Sequence, residues 1–300
     1  MKTRKTVLGS LALLLMLLSF STAALAPALK FTFKDVVVPK AIETDSYAVN
    51  NAGVIAGDYI DSKGTQYGLI LNGKTVTKYT YSKCPSTTTN QTAAFGINTA
   101  SAVVGWCLNS SSVPVGFMYA KGKFAAIAGP AGNTGVEANG INDKGAIVGA
   151  YFDSAGVEHG FLYANKKYTT MDPKGSTATA AWSINNAGVI GIYGINSSGD
   201  YISFTTKDNG KTYKAFGYPK AGPLGTAIHG VNNKGDIDGT YFDANSAAHG
   251  VLLHGGKYYS FDDPKASNST RADGLNDKLI IVGRYSPSDG TNHGFEATAK

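Results

Sequence analysis

Six positions in this 300-residue chain hold residue types that bind or transform polar ligands: Tyr47, Phe95, Asn139, Trp182, His229 and Asp273. Each stands three residues before one of six asparagines, Asn50, Asn98, Asn142, Asn185, Asn232 and Asn276, which follow one another at spacings of 48, 44, 43, 47 and 44. Two residues further back the same register reads Asp45, Ala93, Glu137, Ala180, Ala227 and Arg271. Aromatic faces beside carboxylates and Arg suit a sugar, because rings stack on its apolar face while polar groups take its hydroxyls. The same set admits catalysis. Asp45, Glu137 and Asp273 would serve as paired carboxylates in a hydrolase, or His229 and Arg271 as base and anion holder in a lyase acting on a uronate. A purely structural use, filling wedge-shaped gaps and capping a channel, stays open beside both. The chain has no nucleophile elbow, no His-Glu-x-x-His and no Gly-rich phosphate loop, so a non-catalytic binding or surface role is the favoured expectation.

The elements that must position these columns follow from the repeat. Around each Asn runs a phrase small–apolar–Asn–x–x–Gly–x–apolar–apolar–Gly, at a period close to one four-stranded propeller blade. The third copy is the clearest. Val136 to Asn142 leads into an Asn-Asp-Lys-Gly turn, Ala146 to Phe152 forms a second strand, and His159 to Tyr163 a third. Lys167 to Met171 is a fourth, closed by Asp172-Pro173. The sixth copy ends after its third strand. Phe31 to Pro39, ahead of the first Asn, reads as a fourth strand with nothing before it. Pairing the two hides both open edges. The expectation is an all-β fold, a six-bladed β-propeller of four-stranded antiparallel blades closed by its N-terminal strand, with an open β-solenoid as the competitor. The inner strands would then surround a channel, with both columns at one level of its mouth. The glycines of the second strand, Gly57, Gly105, Gly149, Gly239 and Gly283, would mark close approach of neighbouring blades.

Asn142-x-x-Gly145-x-Ile147-Val148-Gly149, followed by His159-Gly160-Phe161-Leu162-Tyr163, resembles the extracellular HAF-repeat family of bacterial secreted proteins. The family's His-Ala-Phe triplet is His-Gly-Phe here at 159–161 and 293–295, and His-Gly-Val at 249–251. The resemblance covers nearly all of the chain after its leader. It implies a secreted β-repeat protein and carries over no catalytic residue.

Composition narrows the remaining choices. Lys2, Arg4 and Lys5, the apolar run Val7 to Leu18 and the small residues 21–26 read as a secretory signal peptide over 1–26, leaving 27–300 as one domain. Without those three basic residues, 24 of 27 remain against 21 acidic ones, a net charge of +3. No basic cluster is dense enough for nucleic acid. The expectation is therefore a secreted, extracellular or periplasmic monomer that meets carbohydrate or a cell-surface component, with no membrane span, cofactor or metal. Cys84 and Cys107, the only cysteines, are expected to form a disulfide in an oxidising compartment. The Asn anchors, the histidines before Gly (His159, His249, His293) and the turn carboxylates Asp61, Asp153 and Asp243 are expected to be structural.

Overall fold

The computed structural model describes residues 29–84 and 92–300, all β-strand, turn and loop, with no helix among them. The leader assigned to 1–26 lies outside the described residues. Each repeat folds as the alternation of its apolar residues requires. In the third, strands Gly135–Ile141, Ile147–Phe152, Glu158–Ala164 and Lys167–Met171 pair in order as an antiparallel meander. Gly145 sits at φ 77° in the first turn, where a side chain would be strained. Ser101 and Leu279 take the same left-handed position in the second and sixth repeats, each at φ 57°.

The sheets assemble into a β-propeller, but not into six separate blades. Four four-stranded sheets stand alone, and the fifth and sixth repeats share an eight-stranded sheet. Its two halves are joined only by a parallel bridge between Ala248 and Ser269. At this seam Ala248 N–H donates to the Asn268 carbonyl at 3.2 Å. The fourth and fifth repeats meet in the same way, with Tyr201 N–H on the Leu224 carbonyl at 3.0 Å and an isolated parallel bridge from Tyr201 to Gly225.

The N-terminal strand Phe31–Val36 pairs antiparallel with His293–Ala299, from Phe31 opposite Ala299 to Val36 opposite Gly294. Phe31 stacks on Phe261 and Phe33 meets Phe295 edge-on, so the strand is packed as well as paired. Beyond it, Val36 and Val38 join Val49, Ile55 and Leu69 of the first repeat and Val282 of the sixth in one apolar cluster across the seam. Cys84 and Cys107 are bonded, 23 residues apart, tying the connection after the first repeat to the second strand of the next. Constraining a loop of this length contributes about 3 kcal/mol.

The meander gives the ring two faces. Inner strands run toward the face that carries the Asn turns, here the lower face, which also carries the hairpins between third and fourth strands. Turns between second and third strands, and the connections between repeats, lie on the upper face.

Candidate functional site

One irregularity recurs at the same place in every repeat. Pairing of the inner and second strands slips between Ser46 and Ala48, Ala94 and Gly96, Ala138 and Gly140, Ala181 and Ser183, Ile228 and Gly230, and Ala272 and Gly274. The residue skipped each time is the one three before the Asn: Tyr47, Phe95, Asn139, Trp182, His229 or Asp273. A bulge frees its residue from the ladder and re-aims the side chain. All six line one cavity of about 90 Å³ on the channel axis. The bulge also explains the second-strand glycines. A Cβ on Gly57, Gly105, Gly149, Gly239 or Gly283 would lie 1.9–2.2 Å from the carbonyl oxygen of Asp45, Ala93, Glu137, Ala227 or Arg271 in the same blade. These glycines therefore accommodate the bulge and do not mark the approach of a neighbouring blade. That approach belongs to the small residues two before the Asn: a Cβ on Gly96, Gly140 or Gly274 would meet the next inner strand's backbone at 2.6–2.8 Å.

The cavity wall is aromatic on one side and charged on the other. Tyr47 and Phe95 lie 4.5 Å apart, Phe95 stacks on Trp106 at 5.3 Å, and Trp182 contacts both Phe95 and His229. His229 is buried, and its Nδ1–H donates to the Ala272 carbonyl at 2.7 Å. Burial pushes its pKa down to about 3 against the effect of that carbonyl, so the imidazole is neutral. Asp273 accepts a hydrogen bond from Arg284 Nη1 at 3.0 Å, and Arg284 lies 5.1 Å over the Tyr47 ring, with Asp45 3.9 Å away. Burial raises the carboxyl pKa of Asp273, Asp45 and, most strongly, Asp58, with Arg284 pulling each back. Burial opposes the charge on Arg284 in turn, but Asp273, Tyr47 and Asp45 outweigh it and raise its pKa.

The column five before the Asn does not join this ring. Asp45 reaches toward Arg284. Arg271 lies 5.8 Å over the Phe242 ring and does not line the axial cavity, though its charge reaches His229 and Asp273. Glu137 stands by Glu158 of the same blade. Burial lifts Glu137 to about 8, with Glu158 adding to the shift, and lifts Glu158 to about 7. The two columns thus occupy two levels.

Sequence reading missed the residues paired with this outer column: Asp58, Trp106, Tyr193 and Arg284, opposite Asp45, Ala93, Ala180 and Arg271. They form a second varied column, legible by counting one residue past the recurring second-strand glycine, whose place Ile192 takes in the fourth repeat. Several side-chain atoms around the mouth are buried without a hydrogen bond within the protein: Trp106 Nε1, Trp182 Nε1, Asn139 Oδ1, Asp45 Oδ1 and Asp58 Oδ1.

Below the cavity, Val49, Ile97, Ile141, Ile184, Val231 and Leu275 form an apolar girdle shared with a second cavity of about 90 Å³. Here the six anchors close a circle. Each Asn Nδ2 donates to the main-chain carbonyl of the next Asn, at 2.9–3.4 Å, and Asn276 returns to Asn50 at 3.0 Å. Most of their Oδ1 atoms accept two turn N–H groups, as Asn142 does from Lys144 and Ala146. His159 lies between Asp172 at 2.8 Å and Asp153 at 3.4 Å, and His249 likewise meets Asp262 at 2.9 Å. The turn carboxylates Asp61, Asp153 and Asp243 accept backbone N–H groups. Among the described residues no group of three or more His, Cys, Asp or Glu side chains is placed to hold a metal, and no helix is long and apolar enough to cross a membrane.

No family model matches the chain, and no curated protein matches it. Several solved structures share its fold. A fucose-specific lectin from Aleuria aurantia is 14% identical with a TM-score of 0.56, over 87% of this chain and 96% of that one. A structure of that lectin is described as a six-bladed β-propeller with a novel fucose recognition mode. AofleA from Arthrobotrys oligospora is 10% identical with a TM-score of 0.53, over 91% of this chain and 83% of that one. The sialidase of Trypanosoma rangeli is 11% identical with a TM-score of 0.55, and this chain, matched over 91% of its length, spans 60% of it. At these identities the likeness is one of fold.

Proposed function

We propose that this protein is an exported, non-catalytic β-propeller of six blades, two of them sharing a sheet, whose upper channel mouth holds one end of a glycan. The observation that carries this reading is the set of partnerless polar atoms around an aromatic wall. A buried polar group without a hydrogen bond costs about 1–3 kcal/mol, a cost that selection for stability alone would remove. Indole N–H donors with carboxylate and amide acceptors, set beside the faces and edges of Tyr47, Phe95 and Trp182, match the alternation of hydroxyls and apolar patches on a sugar. The cavity of about 90 Å³ is well under the several hundred Å³ that encloses a drug-sized ligand. It therefore takes a hydroxyl-bearing edge, with the rest of the glycan lying across the upper face. The lectin neighbours support a carbohydrate ligand only as precedent for the fold.

An observation outside the ring supports hydrolysis as a second reading. Glu137, lifted to about 8 beside Glu158 at about 7, is a carboxyl that stays protonated near neutral pH, as a general acid requires. The other candidate groups are engaged elsewhere: Asp273 holds Arg284, and His229 has its proton on the Ala272 carbonyl.

Glycan-array screening of the purified protein, followed by calorimetry on the best binder, tests both readings. Trp182→Ala is expected to weaken binding at least tenfold, with no product released. Wild-type affinity in Trp182→Ala would reject the mouth as the site. Turnover of the bound glycan, abolished in Glu137→Gln, would establish the hydrolase instead.

A further inference from the structure

The modest net charge conceals a separation by face. On the lower face, the hairpins between third and fourth strands carry exposed lysines around the whole ring, among them Lys74, Lys121, Lys166, Lys211, Lys257 and, at the closing seam, Lys300. The Asn turns add exposed Lys144, Lys234 and Lys278 on the same face. Its carboxylates keep their charge but are fewer than these lysines. Asp143 takes Thr99 and Asn186, Asp277 takes Asn233 and Asn51, Asp236 takes Asn232 and His254, and Asp208 takes Thr206 and Thr212. The upper face is mixed: Asp61, Asp153, Asp243 and Asp289 in its turns and Asp172 and Asp262 in its connections stand among exposed Lys40, Lys63, Lys174, Lys220 and Lys265, so it lacks the lower face's surplus of lysine. The strand meander alone puts each residue on its face, so the separation is a property of the fold.

We propose that the lower face docks on a planar anionic lipid surface, leaving the upper mouth turned outward. The lysines are spread around the perimeter of a flat ring, which lets many of them lie within one Debye length of a plane, about 8 Å at physiological salt. A linear polyanion would instead call for a continuous basic track, and the centre of this face is Asn, Thr and two Asp. The lower face has lysines and no Arg among its described residues, so it presents point charges and not the bidentate forks that read individual phosphates. It also lacks an apolar wedge. The exposed large hydrophobics among the described residues, Val37, Ile42 and Val157, all sit on upper-face loops or at strand ends that meet them. Attachment is thus electrostatic, reversible and salt-labile, independent of what the mouth binds.

Co-sedimentation of the mature protein, residues 27–300, with vesicles tests this. Vesicles of phosphatidylcholine with about one-third phosphatidylglycerol are expected to bind it at low salt and release it as NaCl approaches about 0.5 M. The triple variant Lys166→Gln, Lys211→Gln, Lys257→Gln is expected to lose on the order of a hundredfold in partitioning, near fivefold for each lysine. A matched upper-face triple, Lys63→Gln, Lys174→Gln, Lys220→Gln, should bind as wild type. Equal binding to pure phosphatidylcholine, or equal loss in both triples, overturns the proposal. So does a soluble polygalacturonate that binds the lower face while the vesicles are ignored, which would assign that face to a linear polyanion. Circular dichroism of both triples separates lost binding from lost fold.

Discussion

The two ends of the channel are made from neighbouring residues of the same six strands, yet they obey opposite rules. At the lower end six identical asparagines repeat one interaction around a closed circle, and the apolar girdle above them varies only among Val, Ile and Leu. Three residues earlier, the bulged positions are all different in chemistry, and their surroundings include buried atoms with no partner. Each member donates from its side chain and accepts at its main chain, so a substitution in one repeat breaks one link of the circle together with the turn hydrogen bonds that the side-chain oxygen accepts. The bulge makes no such demand. It delivers any side chain to the axis without altering the ladder beneath it, which leaves that position open to serve a ligand.

The comparison can be broken most directly at the charged side of the mouth. Arg284→Met leaves Asp273 buried without its cation and is expected to cost about 4 kcal/mol in urea unfolding. A loss under about 1 kcal/mol would mean that the upper network, like a surface ion pair, contributes little. Asn142→Ala removes the donor to Asn185 and the acceptor of two turn N–H groups. It should cost about 3 kcal/mol by the same measurement and leave any glycan affinity of the folded protein unchanged. If affinity falls with stability, the two ends are not independent.

The pH dependence of stability sharpens the contrast, because Glu137 and His229, both strongly shifted by burial, lie at the upper end. Glu137 is raised to about 8 in the folded protein and unfolds to an ordinary carboxylate. Its contribution is therefore complete below about pH 4.5 and is lost as pH rises toward 8. His229, lowered to about 3, contributes above about pH 6.5 and loses that contribution as pH falls. Glu137→Gln should consequently flatten the decline between about pH 4.5 and 8 and be on the order of 2 kcal/mol more stable than wild type at pH 8, as read by denaturation at several pH values. Equal slopes for variant and wild type between pH 5 and 8 would place Glu137 in water.

Smaller effects separate the ends further. Trp106→Phe keeps a ring against Phe95 and removes a partnerless indole N–H. Relief of that N–H and the loss of buried ring volume offset, so stability should change by no more than about 0.5 kcal/mol while glycan affinity drops about tenfold. At the lower end, Ser101→Gly relieves a left-handed turn residue and should gain about 0.5 kcal/mol, seen as a slightly higher midpoint.

The repeat was readable because it is local. An Asn, a turn Gly and alternating apolar residues at a fixed period determine the meander, the Phe31–Val36 closure and the column from which the mouth is built. The cysteine pair was legible for the same reason, lying in adjacent repeats of a chain with no other thiols. What the residues alone did not reveal depends on contacts between strands far apart in sequence. The bulge is defined only by pairing with the second strand. The companion column of Asp58, Trp106, Tyr193 and Arg284 is defined by its register. The Asn circle exists only when six repeats face one axis. Composition and spacing thus determined the kind of ring this chain forms and the strand positions that line its mouth. Tertiary structure decided which side chains meet there, which are neutralised by burial, and which, like Arg271, stand outside the cavity, because desolvation and hydrogen-bond geometry are properties of the closed ring and not of any single repeat.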